Sequence, residues 1–135
     1  MTIPDSGLLD TSVFIARETG CLLGQLPARS AVSVITVGEL ELGVLAAPGQ
    51  VERARRADTL DLARHADPVP VSESVMSAWA HLVHACRVAG IHRTVKLADS
   101  LIAATAITHG LPVVTQDRDY DDMAKAHPPL QVHHV

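Results

Sequence analysis

Short apolar runs alternate with helix signals along the chain, and this alternation most limits what it can fold into. "SGLLD" is a brief apolar run ending at Asp10, a good helix N-cap, and leads into "TSVFIARETG", which Gly20 stops. "RSAVSVITVGELELGVLAAPG" repeats the plan, with a strand near 31–34 and a helix over about 37–46, closed by Pro48 and Gly49. A charged helix is expected over 50–66, a third strand near 69–71, and a helix opened by Ser72 and Glu73. A nearly all-apolar helix, "KLADSLIAATAITHG", then precedes a strand at 111–115 and a terminal strand candidate, "LQVHHV". Strands apolar on both faces, separated by helices, predict an α/β fold: a short parallel sheet of four to five strands between two helical layers.

At 135 residues and 47% hydrophobic content, the chain is expected to form one domain, 1–135, with a single filled core. Phe14, Trp79 and Tyr120 are its only aromatics, which disfavours base stacking as a mode of nucleic-acid recognition. A net charge of −4 disfavours bulk attraction to polyanions. Cys21 and Cys86 form no CxxC pair, so neither a zinc knuckle nor a disulfide framework is implied. "MTIPDSGLLD" lacks a basic segment followed by a long apolar run, and no apolar stretch is long enough to span a membrane. The expected location is cytoplasmic.

In open parallel sheets, ligands bind beyond the carboxyl ends of the strands. Asp10 follows the first strand there, and Asp117 and Asp119 in "VVTQDRDYDD" follow the strand at 111–115. Glu39 and Asp99 are expected in the first turns of their helices. A first-turn acid is commonly no more than a partner for free helix amides, worth about 0.3–1 kcal/mol. Asp99 fits that reading poorly, because apolar or small residues surround it on almost every side from Leu97 to Ile107. Acids converging on one edge repel unless a divalent ion sits among them. An all-oxygen donor set suits Mg²⁺, or Mn²⁺, over zinc. The candidate site is Asp10, Glu39, Asp99 and Asp117, with Asp119 as a further metal ligand.

"LLDTSVFIA", "SVITVGELELGVL", "LADSLIAATAITHG" and "PVVTQDRDYD", in this order and spacing, resemble the PIN-domain nucleases, in particular the VapC-like toxins of bacterial toxin–antitoxin pairs. The resemblance runs from Leu8 to about Tyr120. It implies a three-layer α/β/α fold and a metal-dependent endoribonuclease whose acids match Asp10, Glu39, Asp99 and the pair Asp117 and Asp119, with Asp117 favoured as the primary ligand. It further implies a homodimer, silenced by a small VapB-like antitoxin, acting on structured RNA. Thr115 matches a hydroxyl position of the family. Thr11 and Ser12 either share that work or only satisfy helix amides.

Phosphodiester cleavage in such a site needs an activated water and neutralisation of charge on the transition state, which bound metal supplies; 5′-phosphate and 3′-hydroxyl ends are expected. Lys96, with Arg93 before it, is placed by the chain to meet phosphate. Arg118 either holds phosphate or screens the acids beside it. Arg53, Arg56 and Arg64 form either a basic ridge or, with Glu52, Asp58 and Asp61 among them, an ordinary solvated face. His81 and His84 have helical spacing but lack a completing ligand. The alternative to an enzyme is a non-catalytic PIN-like RNA- or protein-binding module, which would have no need of the acids. A receiver-type phosphoacceptor would want an acidic pair after the first strand, where "LLDTS" carries one acid.

Overall fold

The computed structural model describes residues 2–135. Four parallel strands, β1 (Ser6–Leu9), β2 (Arg29–Val32), β3 (Val113–Thr115) and β4 (Val132–His134), form one sheet in the order β2-β1-β3-β4. Six helices surround it: α1 (Thr11–Glu18), α2 (Val34–Leu45), α3 (Gln50–Arg64), α4 (Glu73–Val88), α5 (Leu97–Thr108) and α6 (Asp119–Ala126). No helix among the described residues is long and apolar enough to cross a membrane.

Successive strand residues point to opposite faces, and this splits the core in two. Leu8 and Val113, paired across β1 and β3, join Leu82 and Cys86 of α4, Ile102 and Ala106 of α5, and Tyr120 and Met123 of α6. Their neighbours Leu9 and Val114 turn the other way, toward Val13 and Phe14 of α1, Leu40 of α2 and Leu60 of α3. One sheet therefore separates two apolar layers, the three-layer α/β/α arrangement expected from strands without a polar face. Gly7 reflects how tight its centre is: a Cβ there would lie 2.5 Å from a Val114 methyl.

Helix ends carry the chain into the strands. After α5, Gly110 takes a left-handed conformation (φ 64°), while Leu111 N–H bonds the Ala106 carbonyl at 2.9 Å and Gly110 N–H the Ile107 carbonyl at 3.1 Å. This paired closure satisfies the terminal carbonyls and aims the backbone at β3. Gly20 ends α1 in the same conformation (φ 75°).

The structure corrects three expectations. The strand near 69–71 reduces to one parallel bridge, Ser33 to Val69, because Pro68 and Pro70 remove the N–H donors on either side of Val69. Helix α2 starts at Val34, not near 37: the Ser33 hydroxyl accepts the Ile35 N–H at 3.1 Å and caps it. Glu39 thus lies in the second turn, not the first. The stretch after β3, for which no helix is expected from the sequence, contains α6, whose first turn holds Asp119, Asp121 and Asp122, where the helix dipole favours them.

Candidate active site

Strand β1 connects outward to β2 on one side, while β3 lies on its other side, so the chain direction switches between β1 and β3. A crevice opens beyond the carboxyl ends of strands at such a point. Here it is a cleft of about 410 Å³ lined by Asp10, Glu39, Asp99 and Asp117, with Thr11, Ser12 and Lys96 also on its wall. Four acids from four distant stretches of sequence therefore share one cavity.

Asp10 is the fixed point. It is 2% exposed, immediately follows β1 and caps α1. Its Oδ2 accepts the Thr115 hydroxyl at 3.0 Å and the Ser12 N–H at 3.4 Å, and its Oδ1 accepts the Tyr120 hydroxyl at 2.8 Å. All these donors are neutral. A hydroxyl has one proton, and that of Thr115 goes to Asp10, so Ser12 Oγ donates to Thr115 across 3.2 Å. Ser12 Oγ in turn accepts the Gln116 N–H at 3.0 Å, and Thr115 Oγ1 accepts the Asp117 N–H at 2.9 Å. Thr115 and Ser12 thereby tie the loop that carries Asp117 to the carboxylate of Asp10.

A second chain of hydroxyls serves Glu39. Thr11 Oγ1 donates to Glu39 Oε1 at 2.6 Å, which leaves Thr36 Oγ1 to donate to Thr11 at 3.0 Å. The carboxylate of Asp99, in the first turn of α5, accepts no hydrogen bond among the described residues. Burial first, then the charge of Asp10 and those of Glu39 and Asp119, raise its carboxyl to about 6 against the pull of Lys96. Partial desolvation, then Asp10 and Asp119, raise Asp117, again opposed by Lys96. Burial above all, with Asp10 and Asp99 beside it, pushes the Tyr120 phenol up, keeping it a neutral donor.

Asp119 lies apart from the cleft lining, with its Oδ2 3.6 Å from Lys96 Nζ. Arg118 is well exposed and reaches Asp121 at 3.9 Å instead of either acid beside it. Arg93 does not line the cleft. On α3, Arg56 donates to the Gly43 carbonyl at 2.7 Å and Arg64 meets Glu41 at 3.4 Å, so these arginines link α3 to α2. Tyr120 and Thr36 were not singled out from sequence. Thr36 lies three residues before Glu39, on the same face of α2, but that face is legible only once the helix is known to begin at Val34.

The donor chemistry fits a small hard cation. Four carboxylates and the Thr11 and Ser12 hydroxyls dominate its polar lining, beside the Gln116 amide and the Cys21 thiol, and Lys96 is the one cation on its wall. Among the described residues no three His, Cys, Asp or Glu side chains stand close enough together to form a ready-made metal site. Mg²⁺ does not require one, since it keeps several waters and binds through one or two carboxylates. The carboxylate-rich donor set also suits such an ion better than zinc, whose sites are built mainly from Cys and His.

A parallel sheet with acids at its switch point, covered on both faces, is the architecture of a PIN domain, and residues 7–126 match that family. Ribonuclease VapC8 of Mycobacterium tuberculosis is 63% identical over 100 residues, covering 74% of this chain and 89% of that protein. Ribonuclease VapC4 of the same organism is 46% identical over 121 residues, covering 86% and 89%. Among solved structures, the toxin–antitoxin complex VapBC-5 of M. tuberculosis includes a chain that superposes with a TM-score of 0.87 at 36% identity, over 98% of this chain and all of that one. The chain belongs to the PIN-domain family, in its VapC branch.

Proposed function

We propose that this protein is a Mg²⁺- or Mn²⁺-dependent endoribonuclease toxin that cuts structured RNA and is neutralised by a small VapB-like antitoxin. The observation that carries this reading is the convergence of Asp10, Glu39, Asp99 and Asp117 on one cleft. Two relatives more than 40% identical bear the name ribonuclease, and a 36% identical neighbour was solved as a toxin–antitoxin complex, which supports both the substrate class and the partner.

Asp10, Asp99 and Asp117 would hold the ion, with Asp119 at the rim. When bound, the ion supplies an acidified water and neutralises charge at the phosphate. The chain's own groups do the rest. Thr115 and Tyr120 fix the Asp10 carboxylate, Thr11 fixes Glu39, and Ser12 holds the Asp117 loop against α1. Glu39, on the cleft wall, is the carboxylate available to take a proton from the attacking water. Lys96 extends an exposed ammonium on the cleft wall, suited to meet a substrate phosphate and to be released from Asp119 as it does so.

A binding-only module has no need of four carboxylates gathered in one cleft. The test is product chemistry. Incubated with RNA and Mg²⁺, the protein is expected to leave 5′-phosphate and 3′-hydroxyl ends and to stop cutting when the metal is chelated. Ends carrying 2′,3′-cyclic phosphate, or cleavage persisting in chelator, would contradict water attack assisted by metal.

A further inference from the structure

The one tyrosine of the chain is fully buried, yet its hydroxyl points into the site. Tyr120 is 0% exposed, packs in the α4–α5–α6 core with Met123 and Leu82, and places its hydroxyl 2.8 Å from Asp10 Oδ1. A phenylalanine would fill the same core without a polar atom. Burial strips the phenol of its bonds to water, a loss left uncompensated unless it finds a partner. Its partner here is the acid at the centre of the site.

The arrangement at Asp10 suits orientation more than neutralisation. Three elements each give one donor to this carboxylate: α6 through Tyr120, β3 through Thr115, and α1 through the Ser12 amide. They act on both oxygens, so rotation about the carboxylate is blocked from both ends. None carries a charge, so the acid keeps its full attraction for a cation. A lysine or arginine at position 120 would orient Asp10 equally well but would compete with metal.

We infer that Tyr120 is a positioning residue for metal binding: its hydroxyl, fixed by the core on one side of the sheet, locks the Asp10 carboxylate in the orientation that receives a divalent cation. The inference rests on the metal-dependent reading above. Groups that orient a ligating carboxylate typically contribute tenfold to a hundredfold in metal affinity. A buried tyrosine serving only the core would contribute nothing to it.

Because position 120 holds the only tyrosine, growth on 3-fluorotyrosine places a single fluorine reporter there without removing the hydroxyl. Mg²⁺ titrated into this labelled protein should move the ¹⁹F resonance, saturating at the concentrations that calorimetry reports for binding. In parallel, Tyr120→Phe should weaken Mg²⁺ binding about tenfold and lower kcat more than it alters KM for RNA. Met123→Ala, which opens the same core without touching Asp10, should lower the melting temperature and leave Mg²⁺ affinity unchanged. Calorimetric binding with a fluorine signal that does not move, or a Tyr120→Phe protein with wild-type affinity, would overturn the role of Tyr120 alone. No Mg²⁺ binding by any form would overturn the metal reading and this inference with it.

Discussion

Asp10→Asn is expected to lower Mg²⁺-dependent RNA cleavage at least about a hundredfold, the scale on which losing one preorganised electrostatic group acts, in a protein that still folds. Asparagine keeps the shape and one acceptor oxygen. Its amide nitrogen cannot accept, so either Tyr120 or Thr115 loses its acceptor, at a cost of roughly 1–2 kcal/mol. Loss of the negative charge works the other way, since Asp10 is among the groups raising both Asp99 and Asp117. The two effects oppose each other, so the melting temperature should stay within a few degrees while activity collapses. A gel-based cleavage assay beside a circular dichroism melt checks both; wild-type cleavage by a folded Asp10→Asn protein would remove Asp10 from the chemistry.

The second large effect concerns Asp99, and its sign is opposite to that of most substitutions at a buried site. In the folded, metal-free protein its carboxyl is raised from 3.8 to about 6, so between those values the native state holds a proton that the unfolded chain has already lost. The contribution of Asp99 to stability is therefore most favourable below about pH 4, falls as pH rises to about 6, and stays reduced above that. After allowance for solvent screening at a half-buried position, the loss at neutral pH is about 1–2 kcal/mol. Asp99→Asn removes the charge and with it this pH dependence. In chelator at pH 7 it should melt about 3–8 °C above the wild type, while losing the stabilisation that Mg²⁺ gives the wild type by binding the native state. Thermal melts across pH 4–8, with and without Mg²⁺, measure both halves. An Asp99→Asn protein less stable than the wild type in chelator would show that Asp99 earns its place by holding the fold together.

The acids were legible because a carboxylate inside an apolar pattern is conspicuous. "LADSLIAATAI" sets Asp99 among apolar and small residues, and Asp10 ends an apolar strand, so the rule for open sheets places both at one edge. What remained hidden depended on local backbone chemistry. Val34, Ile35, Thr36 and Val37 form a β-branched run that reads as strand, and only the Ser33 cap turns it into helix three residues early, shifting Glu39 by a turn. The prolines flanking Val69 suggested a strand edge but left a single bridge. Helix α6 has only Tyr120, Met123 and two alanines as its apolar stripe, among acids that drew attention as ligands. Tyr120, three residues after Asp117, reads as part of that stripe, and only the packing of α6 turns its hydroxyl back to Asp10. Hydroxyl networks such as Thr36–Thr11–Glu39 and Ser12–Thr115–Asp10 join residues up to 105 positions apart, and no spacing in the chain announces them.

That a divalent ion relieves the repulsion in this cleft is tested most directly by counting protons. A carboxyl held at about 6 is half protonated at pH 6, and a cation binding there must displace that proton. Calorimetric titration of Mg²⁺ in buffers of different ionisation enthalpy should therefore report release of at least about half a proton per ion at pH 6, falling toward none at pH 8. Binding without proton release at pH 6, or no saturable binding at either pH, would contradict it.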